Sequence, residues 1–150
     1  MTAAWLSERE EHVWRGWMTL NAELAAALQR RTQSDAGLSM PDYEVLVHLT
    51  DDAAGRLRVS ELARLLQWER SRVSHHVTRM ERRDLVEREE CPDDRRGAFV
   101  AITPAGRAAI QRAAPGHVEA VRQLVFDGLE AEELRSLGTV IDKLLARQAS

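Results

Sequence analysis

The chain has 150 residues and a formal net charge of −3, from 21 lysine and arginine residues against 24 aspartate and glutamate residues. Its length predicts a single domain, and a hydrophobic content of 44% excludes a disordered chain. The total charge does not by itself indicate a nucleic-acid binder, since such domains are often strongly basic. The longest run without a charged residue, 97–106, is about half of what a membrane-spanning helix needs.

The N-terminus and the cysteine content bear on location. A mostly acidic stretch follows Trp5, where a secretory signal needs a basic start and an apolar run, so we expect no such signal. Cys91 is the single cysteine, which excludes an internal disulfide and fits a reducing compartment. We therefore expect a cytoplasmic protein without a membrane-spanning segment.

The first half of the chain has apolar residues at helical spacing. A long helix is predicted over residues 7–33, and Ser39 is placed to cap a second helix that ends within 51–55. A short extended stretch at 57–59 leads into two further helices, 60–66 and 70–83, with a tight turn between them. Their inward positions are Leu62, Leu65 and Leu66 in the first and Val73, Val77 and Met80 in the second. This pair of helices has the pattern of a helix-turn-helix.

The apolar period then changes from helical to alternating, at residues 85–90 and again at 98–103. Pro92, two aspartates and Gly97 supply turn chemistry between these segments. A β-hairpin with a charged tip is therefore predicted directly after the helix-turn-helix.

The last third of the chain is predicted to be helical. Thr103 followed by Pro104 is a helix start signal, Pro115 is expected to kink or break that helix, and helices resume over 117–126 and 130–149. The order α-α-β-α-α-β-β-α-α defines a mainly α protein with a small β-wing (α+β), whose winged helix-turn-helix spans about 56–103. The flanking helices, about 7–35 and 104–149, are too apolar for this middle part to cover, and we expect them to form a dimerisation region.

The helix predicted over 70–83 carries five arginines against one acid, Glu81. Arginine contacts guanine edges and phosphates in duplex DNA, and serine, threonine and histidine supply further polar contacts. A solvated helix face is the competing interpretation. The hairpin favours DNA binding, because Arg95 and Arg96 at its tip are suited to a narrow minor groove and Asp94 can hold one guanidinium group.

The run Asp-Arg-Arg-Gly-Ala-Phe-Val-Ala-Ile-Thr-Pro-Ala-Gly at 94–106 resembles the wing signature of MarR-family transcriptional regulators: Asp-x-Arg, three residues, Val-x-(Leu or Ile)-Thr, then Pro-x-Gly. Residues 60–63, 71–74 and 79–86 also resemble the family's helix-turn-helix. The resemblance covers nearly the whole chain. It implies a homodimeric winged helix-turn-helix regulator of pseudo-palindromic operators, and many such proteins are released by small aromatic or phenolic ligands or by oxidation.

The chain departs from the family pattern at three positions. Asp84 stands where the family usually has a glycine in the left-handed region after a helix. Arg58 and Glu69 stand where the family often has a capping Ser, Thr or Asp, at a cost of up to ~1 kcal/mol each. None of these departures removes a group expected to contact DNA.

The expected DNA contacts lie on the second helix of the motif and at the hairpin tip. They are Arg70, Ser71, Arg72, Ser74, His75, His76, Arg79, Asp94, Arg95 and Arg96. Thr78, Arg82 and Arg83 are also expected to face outward. An effector site is expected between the first two helices, with an aromatic and cationic lining from Trp14, Arg15, Trp17 and His48. Packing of Trp17 in the core or in a dimer is the competing interpretation.

No cofactor or metal site is expected. His75 and His76 are adjacent and point about 100° apart on a helix, so they cannot chelate one ion as a pair. The acidic neighbours of Cys91 oppose a reactive thiolate. No catalytic motif is present, which disfavours an enzyme.

A winged-helix module that binds another protein remains the alternative function, and salt-dependent binding to duplex DNA separates the two. The charge distribution favours DNA: residues 56–96 hold eleven basic and nine acidic side chains, and the remainder hold ten and fifteen. The sequence leaves open the operator, the effector, the regulated genes and whether the protein represses or activates.

Overall fold

The structure is a computed structural model that describes residues 5–90 and 97–149. Its chain contacts divide it into two compact units. The terminal unit is Met1–Ala25 with Val118–Ser150, and the central unit is Ala26–His117. The elements are α1 (Glu8–Ala36), α2 (Met40–Asp51), β1 (Arg56–Arg58), α3 (Val59–Leu66), α4 (Arg70–Arg82), β2 (Val86–Glu89), β3 (Phe99–Ile102), α5 (Pro104–Val121), a π-helical turn (Arg122–Phe126) and α6 (Ala131–Gln148). This order confirms the predicted architecture.

The strands form one antiparallel sheet in the order β1-β3-β2. Val100 is its central residue, opposite Leu57 on one side and Arg88 on the other. β2 and β3 are the predicted wing, and β1 is the short extended segment predicted before the helix-turn-helix. Since β1 directly precedes α3, the sheet fixes where the helix-turn-helix begins.

The core of the central unit lies between α2, the helix-turn-helix, the sheet and the first turns of α5. Its most deeply buried side chains are Leu38, Val45, Leu46, Leu49, Leu62, Val73, Val77, Met80, Val86 and Val100. The predicted inward stripe of α4 is thus confirmed. The prediction for Leu65 is wrong, because α3 buries the stripe of Leu62, Ala63 and Leu66, and Leu65 lies about 100° away from Leu66.

The helix ends show which caps the sequence supplies. Ser39 forms a capping box with Asp42: its hydroxyl accepts from the Asp42 amide at 3.1 Å, and the Asp42 carboxylate accepts from the Ser39 amide at 2.9 Å. Thr103 caps α5 by accepting from the Gly106 amide at 2.9 Å. Arg58 and Glu69 make no side-chain cap, and Asp84 has a φ of 60°. The caps at Ser39 and Thr103, the missing side-chain caps at Arg58 and Glu69, and the left-handed conformation of Asp84 are all as expected from the sequence.

Of the kink or break expected at Pro115, the break is wrong, because α5 continues through the proline to Val121. Packing on both sides of the proline outweighs the lost amide donor: Ala113 is fully buried, and Gly116 lies against the Arg31–Asp35 ion pair of α1. A π-helical turn follows at Arg122–Phe126.

The terminal unit carries a large exposed apolar surface. Its exposed large apolar side chains are Trp5, Leu6, Val13, Trp14, Trp17, Met18, Leu20, Val118, Leu124, Phe126, Leu134, Val140, Ile141, Leu144 and Leu145. Trp17 is 42% exposed, so packing in the core of the chain is not its role. Within residues 5–90 and 97–149, no helix is long and apolar enough to cross a membrane.

Candidate nucleic-acid interface

α4 presents a basic, polar face to solvent. It follows a turn in which Gln67 takes the left-handed conformation, at a φ of 56°. The exposed side chains of the helix include Arg70, Ser71, Arg72, His75, Arg79 and Arg82, while Ser74 and Thr78 are half-buried. Most of the DNA contacts predicted on this helix therefore lie together on one accessible face.

Arg72 is held by an aromatic ring. Its guanidinium carbon lies 4.0 Å from the centroid of the Trp68 ring, a cation–π stack from the turn that precedes the helix. Stacking holds the plane of the guanidinium group and leaves its edge donors free, and that edge matches the two acceptors of guanine. Trp68 therefore pre-orients the arginine best suited to read a base.

His76 is the one predicted contact on α4 that turns inward. It is only 8% exposed, and its Nε2 lies 2.9 Å from Oδ1 of Asp42, a close contact that lacks hydrogen-bond alignment. Nδ1 lies 3.1 Å from Nη2 of Arg79, and Trp68 packs edge-on against the ring. The expectation that His76 faces DNA is wrong, because it lies three residues after Val73 and four before Met80 and so falls on the inner stripe of the helix. His76 instead positions Arg79 and Trp68.

Asp42 ties the end of α4 to the start of α2. Its carboxylate is 2% exposed and accepts from Nη1 of Arg83 at 2.7 Å, while Nη2 of Arg83 donates to the Gly37 carbonyl at 2.9 Å. Burial alone would raise the pKa of Asp42, but the contacts with His76, Arg83 and the Ser39 amide hold it well below its ordinary value. Arg83, expected to face outward, is thus engaged within the central unit.

A polar cleft lies beside this network, between α4 and the start of α2. Its volume is about 630 Å³. The lining residues are Gln33, Gly37, Ser39, Pro41, Asp42, Arg72, His76, Arg79 and Arg83. Arg72 and Arg79 therefore belong both to the lining of this cleft and to the exposed basic face of α4.

Arg88 of β2 is a residue whose role sequence reasoning missed. Its side chain donates to the hydroxyl of Thr78 at 2.8 Å and to the carbonyl and hydroxyl of Ser74 at 2.6 and 2.9 Å. Its amide donates to Glu81 at 2.9 Å. The alternation of inward and outward residues along β2 could have indicated this role, because Arg88 shares a strand face with the buried Val86. The wing is therefore bonded to α4 by side chains.

The base of the wing is braced by a stacked cluster. The guanidinium carbons of Arg56 and Arg58 lie 4.5 and 4.4 Å from the centroid of Phe99, and Arg56 pairs with Glu89 at 2.7 Å. These contacts join all three strands at the end from which the hairpin tip leaves the sheet. The tip itself, with the predicted contacts Asp94, Arg95 and Arg96, lies outside the described residues, as does Cys91.

The four expected effector residues are divided between the units. Trp14 and Trp17 line an apolar groove of about 1010 Å³ in the terminal unit, together with Leu6, Arg9, Glu10, Val13, Ile141, Leu144, Leu145 and Gln148. Arg15 is not part of this lining and pairs with Glu11 at 2.6 Å. His48 is a half-buried residue of α2 in the central unit. For metal ions, the part of the chain that the structure describes holds no cluster of three or more His, Cys, Asp or Glu side chains.

A helix-turn-helix whose second helix is rich in exposed arginine, joined to an antiparallel wing, defines a winged helix-turn-helix, a class of DNA-binding protein. Comparison with known proteins agrees. The family model described as MarR family matches residues 36–97.

Several solved structures match almost the entire chain. AbsC, a MarR family transcriptional regulator from Streptomyces coelicolor, is 36% identical with a TM-score of 0.90, over 98% of this chain and 99% of that one. Sco3205, a MarR family transcriptional regulator of the same organism solved in complex with DNA, is 42% identical with a TM-score of 0.89, over 97% and 94%. A mutant MarR from E. coli, complexed with operator DNA, is 22% identical with a TM-score of 0.80 over 95% and 99%, a likeness of fold. The chain belongs to the MarR family of transcriptional regulators.

Proposed function

We propose that this protein is a cytoplasmic, homodimeric repressor that binds a pseudo-palindromic operator and blocks a promoter. The observation that carries the proposal is the exposed basic face of α4. On this face the guanidinium group of Arg72 stacks on Trp68 from the preceding turn, with its carbon 4.0 Å from the ring centroid. The DNA complex of the 42% identical Sco3205 supports the same use of this fold. Repression follows because a protein seated on promoter DNA excludes the polymerase.

The proposed DNA contacts are those that the structure leaves accessible, together with the hairpin tip. On α4 they are Arg70, Ser71, Arg72, Ser74, His75 and Arg79. At the tip they are Asp94, Arg95 and Arg96, with the arginines in the minor groove beside the major groove that α4 enters.

The proposed dimer rests on the apolar surface of the terminal unit. Monomeric soluble proteins rarely expose contiguous apolar patches of this kind. Trp14, Trp17 and Leu144 border one groove, and a second copy is the occupant that a two-fold regulator requires. Two α4 helices, related by the dimer axis, would enter successive major grooves about 34–36 Å apart.

A small aromatic acid or phenol is the proposed effector class. Its support within the chain is the apolar groove bordered by the indole rings of Trp14 and Trp17, which a small aromatic molecule would share with the second copy at the proposed dimer contact. A panel of aromatic carboxylates and phenols, added to the protein on its operator, tests this part. Tryptophan fluorescence and operator affinity should change together for an active compound, and a panel that changes neither contradicts the effector proposal.

The decisive experiment is selection of bound fragments from genomic DNA, followed by a salt titration on the selected site. A dimer that contacts about 6–10 phosphates should show a log–log slope near −0.9 per phosphate and a paired half-site in the selected pool. Flat salt dependence with no enriched sequence would contradict the proposal and favour a protein-binding winged helix. The variant Arg135→Ala, in an exposed pair with Glu132 on α6, provides a control that removes a positive charge from the terminal unit.

A further inference from the structure

We propose that Arg88, a wing residue, is a positioning residue for DNA recognition that fixes the Ser74 hydroxyl of α4 as a hydrogen-bond donor toward DNA. This inference rests on the proposed sequence-specific binding and names one of its determinants. Arg88 is not itself expected to touch DNA, because its guanidinium group is engaged by α4 and its side chain is only 24% exposed.

The contacts of Arg88 cover two turns of α4. Nη2 donates to both the carbonyl and the hydroxyl of Ser74, and Nη1 donates to the hydroxyl of Thr78 one turn later. The Arg88 amide then donates to Glu81, and Nη1 lies 3.9 Å from the same carboxylate. Residues 74, 78 and 81 share one helix face, so a single wing residue sets how β2 lies along α4.

The single proton of the Thr78 hydroxyl is used by these contacts. It donates to the Ser74 carbonyl at 3.0 Å and accepts from Arg88 at 2.8 Å. A hydroxyl group has one proton to donate, so Thr78 has none left for DNA. Its place in the structure is therefore to support Arg88.

The hydroxyl of Ser74 takes part in the described hydrogen bonds only as an acceptor. Its oxygen accepts from Arg88 at 2.9 Å, and no described residue accepts its proton. Arginine carries only donors and stays protonated, so the direction of this bond cannot reverse. The Ser74 proton is therefore left to donate outward, and acceptance from a charged donor polarises the O–H bond, which makes Ser74 a better donor than acceptor on the surface that the exposed arginines of α4 share.

A serine biased toward donation discriminates among the edges of base pairs. In the major groove guanine presents two acceptors and thymine one, whereas cytosine presents an amino donor. A free serine either donates or accepts and tolerates all of them. With Arg88 in place, Ser74 should accept guanine or thymine opposite it and disfavour cytosine. A phosphate oxygen is also an acceptor, and contact with it would show as a loss of affinity equal for all sequences.

The test is a double-mutant cycle on DNA binding, with Arg88→Ala, Ser74→Ala and both together. Binding is measured by fluorescence anisotropy on the selected operator, and base preference by selection from operators randomised at each position. We expect each single variant to weaken operator binding about five- to tenfold, and the double variant to bind no more than about twofold weaker than either. Arg88→Ala should also admit cytosine at one half-site position, or weaken all sequences equally if the partner is a phosphate.

Two further variants keep the test informative if Arg88→Ala folds poorly. Arg88→Met keeps most of the length of the side chain but carries no donor, so it should reproduce the altered preference while losing less packing than Arg88→Ala. Arg56→Ala removes an arginine from the same sheet without touching α4 and should leave base preference unchanged.

Two results would overturn the assignment. The first is additive losses in the cycle. The second is a lower Tm for Arg88→Ala or Arg88→Met with the wild-type base preference and operator affinity intact, because a purely structural contact would produce it. Failure of the wild-type protein to select any sequence is a separate result, which refutes the proposed function instead.

Discussion

The buried carboxylate of Asp42 accepts a hydrogen bond at 2.7 Å from Arg83, although 41 residues separate the two along the chain. The same carboxylate lies 2.9 Å from Nε2 of His76 and accepts from the Ser39 amide. One acidic side chain therefore caps α2 and also anchors α4, the helix proposed to enter the major groove. Loss of its charge would weaken the contacts that hold α4 against α2.

Asp42→Asn should destabilise the protein by about 1–3 kcal/mol at pH 7, because Arg83 and His76 lose a buried anion. The folded pKa of Asp42 lies below its unfolded value of about 3.9, so this stabilisation is present above that pH and is lost as the pH falls through the folded pKa. Denaturant unfolding between pH 7 and pH 2.5 should show wild type and variant converging below about pH 4. Asp51→Asn, at an exposed residue of the same helix, is the control, and a gap that stays constant to the lowest pH contradicts the expectation.

Gly106→Ala should destabilise the central unit by about 1–3 kcal/mol through steric overlap. A Cβ at Gly106 would overlap the Leu85 carbonyl oxygen, so the start of α5 would have to move away from the turn between α4 and β2. Gly128→Ala is matched in chemistry and meets nothing within 4 Å. Thermal unfolding of both variants measures the difference, and equal Tm values would show that the close approach carries no energetic weight.

Arg72→Ala should weaken operator binding by about 1–3 kcal/mol and relax the preference at one base pair, since its guanidinium edge is free to read guanine. Arg72→Lys should not restore the preference, because an ammonium group lacks the two-pronged edge. Anisotropy on the operator and on single-base variants of it measures both effects. The idea fails if Arg72→Ala behaves like the remote control Arg135→Ala.

Leu144→Arg should convert the proposed dimer to a monomer, because a charge would have to be buried in the apolar groove beside Trp14 and Trp17. Sedimentation velocity at micromolar concentration reports the change, and operator affinity should fall with it. Lys143→Glu changes the charge of the adjacent side chain and is the control. A Leu144→Arg protein that sediments as the wild type does would place the dimer contact elsewhere.

His117→Phe should flatten the dependence of stability on pH just below neutrality. Burial lowers the pKa of His117, whose ring stacks on Tyr43 at a centroid distance of 4.5 Å. The folded pKa lies below the unfolded value of about 6.5, so stability is highest above that pH and falls as the unfolded chain takes up a proton. Phenylalanine keeps the stack without the titration, and parallel pH profiles for the two proteins would contradict this account.

Local signals explain how much of the fold and site could be predicted. The inward spacing of Val73, Val77 and Met80, the cap at Ser39 and the start signal at Thr103 each depend on neighbours within a few residues, and all three are confirmed. Apart from Leu65, where the inward face of a short helix was misjudged, the errors depend on partners far along the chain. His76 turns inward beside Asp42, and α5 passes through Pro115 because packing stabilises both sides.

The role of Arg88 illustrates the same limit for the site. Alternation in β2 indicates which side of the strand Arg88 takes, but it contains nothing about Ser74 or Thr78. Those contacts depend on the angle between β2 and α4, which the folded sheet determines. The arginines that face outward on α4 needed only the helical period and were therefore predictable.

Several arginines of the central unit make contacts that a lysine side chain could not make. Arg56 and Arg58 use the flat faces of their guanidinium groups against Phe99, and Arg83 and Arg88 use separate nitrogens to reach several acceptors. An ammonium group has neither a flat face nor spaced donors. A lysine-rich version of this unit would keep its charge and lose its internal bracing. Lys143 is the single lysine among the 21 basic residues, and these four arginines stabilise the central unit before any nucleic acid is bound.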